Sequence, residues 1–474
     1  MKKLISLLLL ASVVISIFSA TFTFKLSSLL LLPTLTILVI CALPLMTTRM
    51  SNFFSPLAYL FYWIYITVFL RMLYIIYDLP NKGYVEWTFL HNNDKTFLIW
   101  PLIVIIVGMS FFILGYFLKP LNLKNSYSLI SIKDWSFSRV YLVGILCFCL
   151  SAVALFRFVS LNIENIIFLT LDNLSSHRGI SDNLREYKTS AFLRLAVQLS
   201  EISFYILFTY LTLSPKKKLN ISILCVLCFI IASFFYLFTQ SRSGLVFMII
   251  NPFILNYLLK DRVLNFSKVL YTFTIAVLLL YGITSLREGT GLETGSISTF
   301  NIHRLADPLI AHNGGFDVSK TGLIMDYIDK NESKKFGSSF LWIPLSFIPR
   351  SIWPDKPISI DTYFGMKVYE ATTYGSGAVP PGLFSELYWN FGYIGIIIGC
   401  FIFGIVFRFI EIHYLIKGNN NINSLIIYVV CFLTLGVAVF GSSINSTIVG
   451  ILYKIIPLIF ILNFITSSKK IVYV

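Results

Sequence analysis

Residues 97–117 read FLIWPLIVIIVGMSFFILGYF and contain no charged side chain. A helix of about 20 apolar residues is long enough to cross the roughly 30 Å hydrocarbon core of a bilayer. The whole 474-residue chain has the same character, because it is 57% hydrophobic and only 12% charged. Soluble proteins carry about 25% charged residues. The composition therefore excludes soluble and disordered chains and predicts an all-α polytopic membrane protein.

Apolar runs of this kind predict about 12 transmembrane helices. They lie at residues 4–22, 26–46, 56–77, 97–117, 140–158, 191–213, 220–239, 244–259, 268–285, 393–413, 425–443 and 447–466. With a cytoplasmic N-terminus, the inner connections and tails hold 17 Lys and Arg residues and the short outer loops hold seven. This positive-inside bias predicts a multi-pass protein of the cytoplasmic (inner) membrane with both termini in the cytoplasm.

One long polar segment, residues 286–392, separates the ninth and tenth spans. It is too polar to cross the bilayer and too long for a bare connection, and the topology places it outside. We therefore expect three parts. Residues 1–285 form the bundle of spans 1–9, residues 286–392 a large, partly helical extracytoplasmic loop, and residues 393–474 spans 10–12 with the cytoplasmic tail.

Several positive charges fall where a bilayer disfavours them. The net charge is +15, from 37 Lys and Arg against 22 Asp and Glu, but in a membrane protein this excess sets topology and does not indicate nucleic acid. Arg71 and Lys454 lie deep in the outer halves of predicted spans, where a cation normally faces the bundle interior or a polar cavity. For Glu201 we expect a structural polar pair with Arg194 on its own helix.

These cations predict a positively charged cavity that opens to the outer side of the membrane, and such a cavity would bind an anionic ligand. Arginine matches phosphate oxygens with two parallel hydrogen bonds. Nucleotides are not supplied outside the cell, and the sequence shows no Walker loop or Gly-rich fingerprint, so no cofactor is expected. A lipid-linked pyrophosphate fits, because its charge lies at the interface and its tail in the bilayer.

Four runs outside or at the edge of the spans are distinctive. They are TQSRSG at 239–244, HRLADPLIAHNGG at 303–315, FIPRSIWPDKP at 347–357 and GAVPPGLFSELYWNFG at 377–392. The last run leads into a span in which Gly395, Gly399 and Gly404 make one side slim. Together with the long late outer loop, these runs resemble the O-antigen polymerase (Wzy) family of oligosaccharide repeat-unit polymerases, which are relatives of the O-antigen ligases.

The resemblance implies metal-independent glycosyl transfer at the outer face of the cytoplasmic membrane. A glycan linked to undecaprenyl pyrophosphate leaves its carrier and joins the end sugar of another, which builds an O-antigen, capsule or exopolysaccharide. Arg304 and Gly315 match the Arg-x10-Gly spacing described for the family. The partners implied are the lipid-linked oligosaccharide, the bilayer, and possible chain-length regulator and flippase proteins.

Roles for individual residues follow from the reaction. A departing phosphate needs preorganised positive charge, and the candidates for pyrophosphate binding are Arg242, Arg287, Arg304 and Arg350. An acceptor hydroxyl needs a general base, for which we favour His312, then Glu386, with Asp307 also a candidate. Glu386 has a structural alternative, since it would also suit an ion pair with Arg350 that pins the outer segment. No Asp-x-Asp or His cluster indicates a metal site.

Two other functions share much of this pattern. An O-antigen ligase would use the same arginines and donor but transfer the glycan to a lipid or protein acceptor. A flippase for the lipid-linked oligosaccharide would show pseudo-symmetric halves and charges at the membrane midplane. The sequence has no visible internal repeat, which makes the flippase the weaker alternative.

Overall fold

The computed structural model describes residues 1–23, 29–47, 52–77, 95–118, 134–161, 191–214, 218–239, 242–260, 266–288, 316–348, 352–353, 355–368, 379–416, 418 and 421–466. These residues are overwhelmingly helical. Within them, pairing of the β type is limited to an isolated bridge between Trp135 and Thr466. The prediction of an all-α protein is confirmed.

The helices are numbered here in chain order. They are α1 (Lys2–Thr23), α2 (Leu31–Thr47), α3 (Pro56–Ile64), α4 (Arg71–Tyr77), α5 (Ile99–Phe117), α6 (Phe137–Leu161), α7 (Ala191–Leu213), α8 (Leu219–Phe238), α9 (Arg242–Leu259), α10 (Phe266–Glu288), α11 (Val318–Asn331), α12 (Trp342–Ser346), α13 (Ile360–Val368), α14 (Gly382–Ile410), α15 (Ile422–Ile427), α16 (Thr434–Ala438) and α17 (Ile444–Ile465). Segments of π-helix continue α3, α14 and α15 at Tyr65–Leu70, Glu411–Ile416 and Tyr428–Leu433. The 3-10 helices Lys95–Leu98 and Ser338–Leu341 precede α5 and α12.

Eight helical stretches of the described chain are long and apolar enough to cross a membrane. They are Lys2–Ser19, Pro56–Ile76, Ile99–Phe117, Phe137–Leu161, Leu193–Leu213, Leu219–Leu237, Gly382–Ile416 and Ile444–Ile465. Four shorter apolar helices, Leu31–Thr47, Ser243–Leu259, Val269–Gly282 and Ile422–Ala438, lie at the other predicted spans. The chain is therefore a multi-pass membrane protein, and a total of 12 crossings stays a prediction.

Two hydrophobic cores organise the bundle. The first combines α1–α5 with buried residues of α11, α13 and α14, and the second combines α6–α9 with α15 and the later turns of α17. The Phe316 and Phe384 rings are tilted against each other with centroids 5.5 Å apart in the first core, and both contact Phe440. The described part of the segment between the ninth and tenth predicted spans is thus packed onto the first spans.

The chain reverses direction at Gly392, inside α14. Gly392 has φ 64° and ψ −150°, which interrupts the helix. A Cβ atom on Gly395 would lie 2.5 Å from the Leu387 carbonyl oxygen, and one on Gly399 would lie 2.5 Å from the Leu387 side chain. Residues 382–391 therefore pack back along residues 393–410, and the glycines predicted to make this helix slim allow that approach. The break coincides with the predicted boundary after residue 392.

The second half of α14 packs backbone to backbone against α5. A side chain at Gly404 would collide with the Phe112 carbonyl oxygen, and one at Gly115 would collide with the Phe401 carbonyl oxygen. Small residues allow this approach between membrane helices, where van der Waals packing replaces the hydrophobic effect. The contact holds the reversal at Gly392 against the first core.

Candidate functional site

The predicted site residues differ in how the structure describes them. Glu386 is described with its side chain, and it is buried. For Arg242 and Arg287 the backbone is described, at the first residue of α9 and near the last residue of α10. Because these consecutive helices pack together, the two residues lie at the end of the pair remote from its connection. The remaining four, Arg304, Asp307, His312 and Arg350, lie outside the described residues.

Glu386 fastens the reversed segment to the start of α17. Its Oε2 accepts a hydrogen bond from the Ile444 backbone N–H at 2.6 Å, and its Oε1 accepts one from Asn445 Nδ2 at 2.6 Å. Helix N-termini carry unsatisfied N–H groups and partial positive charge, so a carboxylate is favourable there. The contact joins the 377–392 run to α17.

Lys320 reaches the same helix end from α11. Its Nζ donates to the Gly441 carbonyl oxygen at 2.9 Å, and the side chain is buried. Burial lowers the pKa of Lys320 to about 8, although the nearby Asp317 and Asp361 charges raise it. A buried ammonium near its neutral form is sensitive to the charges beside it.

Asp317 begins α11 and forms an ion pair with Arg71 of α4 at 2.8 Å. Its Oδ1 also accepts from the Ser319 backbone N–H at 2.9 Å and from Ser319 Oγ at 2.7 Å. Burial raises the pKa of Asp317, but Arg71, Ser319 and Lys320 outweigh it, and the net pKa lies below the ordinary value. Arg71, predicted from sequence as a buried functional cation, is thus tied to the segment that follows His312.

Asp361 of α13 completes the cluster. Its Oδ2 accepts from Ser446 Oγ of α17 at 2.7 Å, and its carbonyl oxygen accepts from the Val379 N–H at 2.9 Å. Burial raises the pKa of Asp361, with smaller opposing effects from Ser443, Ser446 and Lys320. The pKa of this carboxyl therefore lies above the ordinary value for an aspartate.

We call Arg71, Asp317, Lys320, Asp361 and Glu386 the outer network. It contains three carboxylates and two cations, which four different helices supply. The titratable groups of the network can hold a proton. Its polar atoms are directed at the starts of α11 and α17, so it also aligns these two helix ends. Sequence analysis identified Arg71 and Glu386 but missed the other three, whose only signal was polarity in a long loop between apolar spans.

The 347–357 run is also fastened beside α17. Lys356 Nζ donates to the carbonyl oxygens of Ser346 at 3.2 Å and Ile348 at 3.1 Å. The Phe347 ring packs edge-on against Tyr453 of α17, with centroids 5.0 Å apart. The described residues on either side of Arg350 are therefore held at α17, as is the run that contains Glu386.

A second polar cluster lies within the spans, and we call Glu201, Tyr205, Tyr236 and Lys454 the membrane cluster. Lys454 Nζ is 2.8 Å from Glu201 Oε1, Tyr236 donates its hydroxyl to the same carboxylate, and Tyr205 donates to it at 3.1 Å. Sequence analysis expected Glu201 to pair with Arg194, whereas the structure shows a bond to a helix more than 250 positions away. No sequence signal connects these two positions.

The described residues offer little for a metal ion. Within the ranges given above, no group of three or more His, Cys, Asp or Glu side chains is close enough to hold one. The seven cysteines are all free, and all but Cys149 are buried. The outer network contains no histidine or cysteine, and its carboxylates are directed at helix ends and cations.

Comparison with known proteins gives one match. The family model of the O-antigen polysaccharide polymerase Wzy matches residues 3–471, which is nearly the whole chain. No curated protein and no solved structure matches at a significant level. The match agrees with the multi-pass helical fold and with the resemblance of the four runs. The chain therefore belongs to the O-antigen polysaccharide polymerase Wzy family.

Proposed function

We propose that this protein joins oligosaccharide repeat units carried on undecaprenyl pyrophosphate into a surface polysaccharide at the outer face of the cytoplasmic membrane, without a metal ion. Membership of the Wzy family supports polymerisation in general. The observation that carries the finer proposal is the convergence of two motif runs on α17. Phe347 packs against Tyr453 of this helix, Glu386 binds its start, and Lys320 donates to Gly441 just before it. The segment before Arg350 and the segment after His312 are therefore both anchored along α17.

The reaction breaks the bond between the donor's anomeric carbon and the pyrophosphate oxygen. The acceptor hydroxyl oxygen forms the new bond to that carbon, and the pyrophosphate leaves with the electron pair of the broken bond. The hydroxyl proton passes to a general base. The protein therefore has to stabilise growing negative charge on phosphate and to accept one proton.

Arg242, Arg287, Arg304 and Arg350 stabilise the departing pyrophosphate in this proposal. Guanidinium groups bind phosphate oxygens through two hydrogen bonds at fixed geometry, so they can replace the charge of a divalent metal. The placement of residues 242 and 287 at the same end of the α9–α10 pair supports their joint role.

His312 accepts the acceptor proton, with Glu386 and Asp307 as the alternatives. Histidine titrates near neutral pH and suits general-base catalysis. In the described conformation both Glu386 oxygens are occupied by α17 and the side chain is enclosed. This supports a positioning role for Glu386 and favours His312 as the base.

Glycan profiling of a gene-deletion strain tests the proposal. Without the protein, lipid capped with a single repeat should accumulate, and the wild-type gene should restore long polymer. Arg304→Ala and Arg350→Ala should leave single repeats, while the matched control Lys330→Ala, at an exposed position of α11, should make full-length polymer. Full-length polymer from normally expressed Arg variants would refute the pyrophosphate assignment.

The same profiles separate the rival functions. A ligase would leave carrier-bound polymer that is never transferred, and a flippase would leave repeat units on the cytoplasmic side. With purified protein and lipid-linked repeats, polymerisation should be unchanged by excess EDTA. Loss of polymer in EDTA that returns with added magnesium would refute metal independence.

The outer location of the loop has its own test. Lys330 and Asn331 are exposed at the end of α11. A membrane-impermeant maleimide should label Lys330→Cys in intact cells or spheroplasts. Labelling only after permeabilisation would reverse the topology. Co-purification with a chain-length regulator or a flippase would identify the expected partners.

A further inference from the structure

The turn at residues 335–339 displays a strained phenylalanine. Phe336 has φ 48°, a left-handed conformation that bulky residues rarely adopt, and its side chain is 79% exposed. Its backbone N–H donates to the Asn390 carbonyl oxygen at 2.9 Å, and that of Lys335 donates to the Trp389 carbonyl oxygen at 3.0 Å. These carbonyls lack helical partners because of the break at Gly392. The turn therefore caps the first half of α14.

The buried Asn390 side chain fixes the rest of the turn. Its Oδ1 accepts from the Gly337 N–H and from Ser339 Oγ, both at 3.0 Å, and its Nδ2 donates to the Glu386 carbonyl oxygen at 2.8 Å. The exposed ring thus stands on a backbone held by buried hydrogen bonds. Strain kept in place in this way indicates a use for the residue that adopts it.

The ring stands beside the lipid-facing surface of the bundle. A Cβ atom on Gly337 would be 3.2 Å from the Phe391 ring, which itself is 42% exposed. Ile394, at the start of the second half of α14, is 67% exposed. Tyr393 packs edge-on against Trp100 with centroids 5.4 Å apart, where the second half of α14 and the candidate span Ile99–Phe117 begin. Such aromatic pairs mark the membrane interface.

The charged residues beside the turn agree with a position at the membrane interface. Lys334 lies over the Tyr388 ring at 3.7 Å and Lys335 pairs with Glu332 at 3.1 Å, on the polar side of the turn. On the apolar side, Leu341 is 63% exposed at the end of the following 3-10 helix. An apolar tip bordered by lysines matches the chemistry of a phospholipid surface.

We propose that Phe336 and Leu341 insert into the bilayer and contact phospholipid acyl chains, so that the 335–339 turn anchors the segment between the predicted ninth and tenth spans to the membrane surface. The occupant is lipid because the turn lies against the exposed Phe391 ring at Gly337, and Ile394, at the start of the apolar second half of α14, is exposed as well. The inference holds for either orientation of the protein and does not depend on the proposed reaction.

The accessibility of attached spin labels measures directly whether residues 336 and 341 lie in the bilayer. The full-length protein is reconstituted in nanodiscs of phosphatidylethanolamine and phosphatidylglycerol, with Cys149→Ser to remove the one exposed native thiol. Nitroxides are attached to Phe336→Cys and, as a second probe without backbone strain, to Leu341→Cys. Ile398→Cys, in the lipid-facing part of α14, and Lys330→Cys, on the polar side, are the matched references.

Oxygen concentrates in the bilayer, whereas a nickel chelate stays in water. We expect collision rates with oxygen to exceed those with the nickel chelate at residues 336 and 341 by several fold, as at 398 and opposite to 330. Nickel access at both sites as high as at 330 would show solvent exposure and overturn the proposal. Low access to both reagents would show that protein, such as a second copy of the chain, covers the turn, and this would overturn it as well.

Discussion

The outer network and the membrane cluster show two ways of enclosing charge. In the membrane cluster one carboxylate meets one ammonium at 2.8 Å, and two tyrosine hydroxyls donate to the same carboxylate. The outer network contains three carboxylates and only two cations, and Asp361 and Glu386 accept their hydrogen bonds from the first turn of α17. The first arrangement is balanced and closed, while the second relies on helix ends to offset its excess of carboxylate.

The difference separates a structural role from a functional one. A balanced ion pair within a span resists any change of charge, because removing either partner leaves the other unpaired in a medium of low dielectric constant. A network with surplus carboxylate and a weakly basic lysine can accept or release a proton at modest expense. We therefore expect the membrane cluster to govern stability and the surroundings of the outer network to govern catalysis.

The largest effect on the rate of polymerisation is expected at His312, the proposed general base. His312→Ala should lower the rate of polymerisation by about 10²–10⁴-fold, the range of general-base catalysis, without loss of stability. Glu386→Gln should lower the rate of polymerisation by no more than about tenfold, which is less than the loss of a general base causes. The fold should tolerate glutamine, because the side chain keeps its size and Asn445 Oδ1 can accept from the new amide once the Asn445 amide flips. The flip gives up the 3.2 Å hydrogen bond from Asn445 Nδ2 to the Ser339 carbonyl oxygen.

Polymer chain length on gels and single-turnover rates with purified lipid-linked repeats measure both variants. If Glu386→Gln lost activity to the extent predicted for His312→Ala while its unfolding curve matched wild type, Glu386 would be the base and the outer network would be the catalytic centre.

In the membrane cluster, Lys454→Met should reduce the free energy of unfolding by about 3–5 kcal/mol, because it leaves Glu201 buried and unpaired. Adding Glu201→Gln should restore most of the loss, since both charges are then absent. Denaturant unfolding of the detergent-solubilised proteins gives the comparison. A double variant no more stable than Lys454→Met would show that the loss does not come from an unpaired charge on Glu201.

Lys320 predicts how the stability of the outer network depends on pH. Its pKa is about 8 in the folded protein against 10.5 for the ordinary side chain, so between these values the unfolded state binds more protons. The penalty for burying the charged form is fully present below pH 8 and disappears as pH rises toward 10.5. Stability from this group should rise across that window by about 3 kcal/mol.

Lys320→Met is the matched variant, because it lacks the titrating group but keeps much of the volume. The difference in unfolding free energy between wild type and Lys320→Met should move in favour of wild type from pH 8 to pH 10.5. Parallel curves for the two proteins over this window would exclude a titrating Lys320.

The smallest expected effect concerns a single hydroxyl of the membrane cluster. Tyr236→Phe removes a donor to Glu201 and should reduce the free energy of unfolding by about 1.5–3 kcal/mol, the range for hydrogen bonds to charged groups. Tyr62→Phe is the control, because the Tyr62 hydroxyl is buried without a hydrogen-bond partner. Its loss should cause no destabilisation. Equal losses in both variants would mean that the Tyr236 bond adds nothing beyond packing.

Local pattern was enough to predict much of the fold. Runs such as residues 97–117 predicted helices because an apolar segment of that length can satisfy its backbone groups in lipid only as a helix. The sequence also predicted that the span after residue 392 has one side formed by small residues, Gly395, Gly399 and Gly404. Two of them, Gly395 and Gly399, allow the close approach of Leu387 after the reversal at Gly392. The family resemblance was confirmed over residues 3–471.

The candidate site was harder to predict. Glu386 was identified either as a general base or as the partner of Arg350 in a structural ion pair, but its contact with the start of α17 was not predicted. Asp317, Lys320 and Asp361 were missed, because in a sequence they are ordinary polar residues of a long loop. The roles of Arg304, Arg350, His312 and Asp307 stay predictions, as do those of Arg242 and Arg287.

Composition and the length of the apolar runs determined that this chain is a multi-pass helical membrane protein, and the resemblance of its motif runs indicated the Wzy family. Both are properties of consecutive residues. Which charges meet was decided by tertiary structure. Arg71 with Asp317, Glu201 with Lys454 and Glu386 with the first turn of α17 are contacts between distant parts of the chain. Such pairs form because burying an unpartnered charge is expensive, and only the packing of the helices determines which partner is within reach.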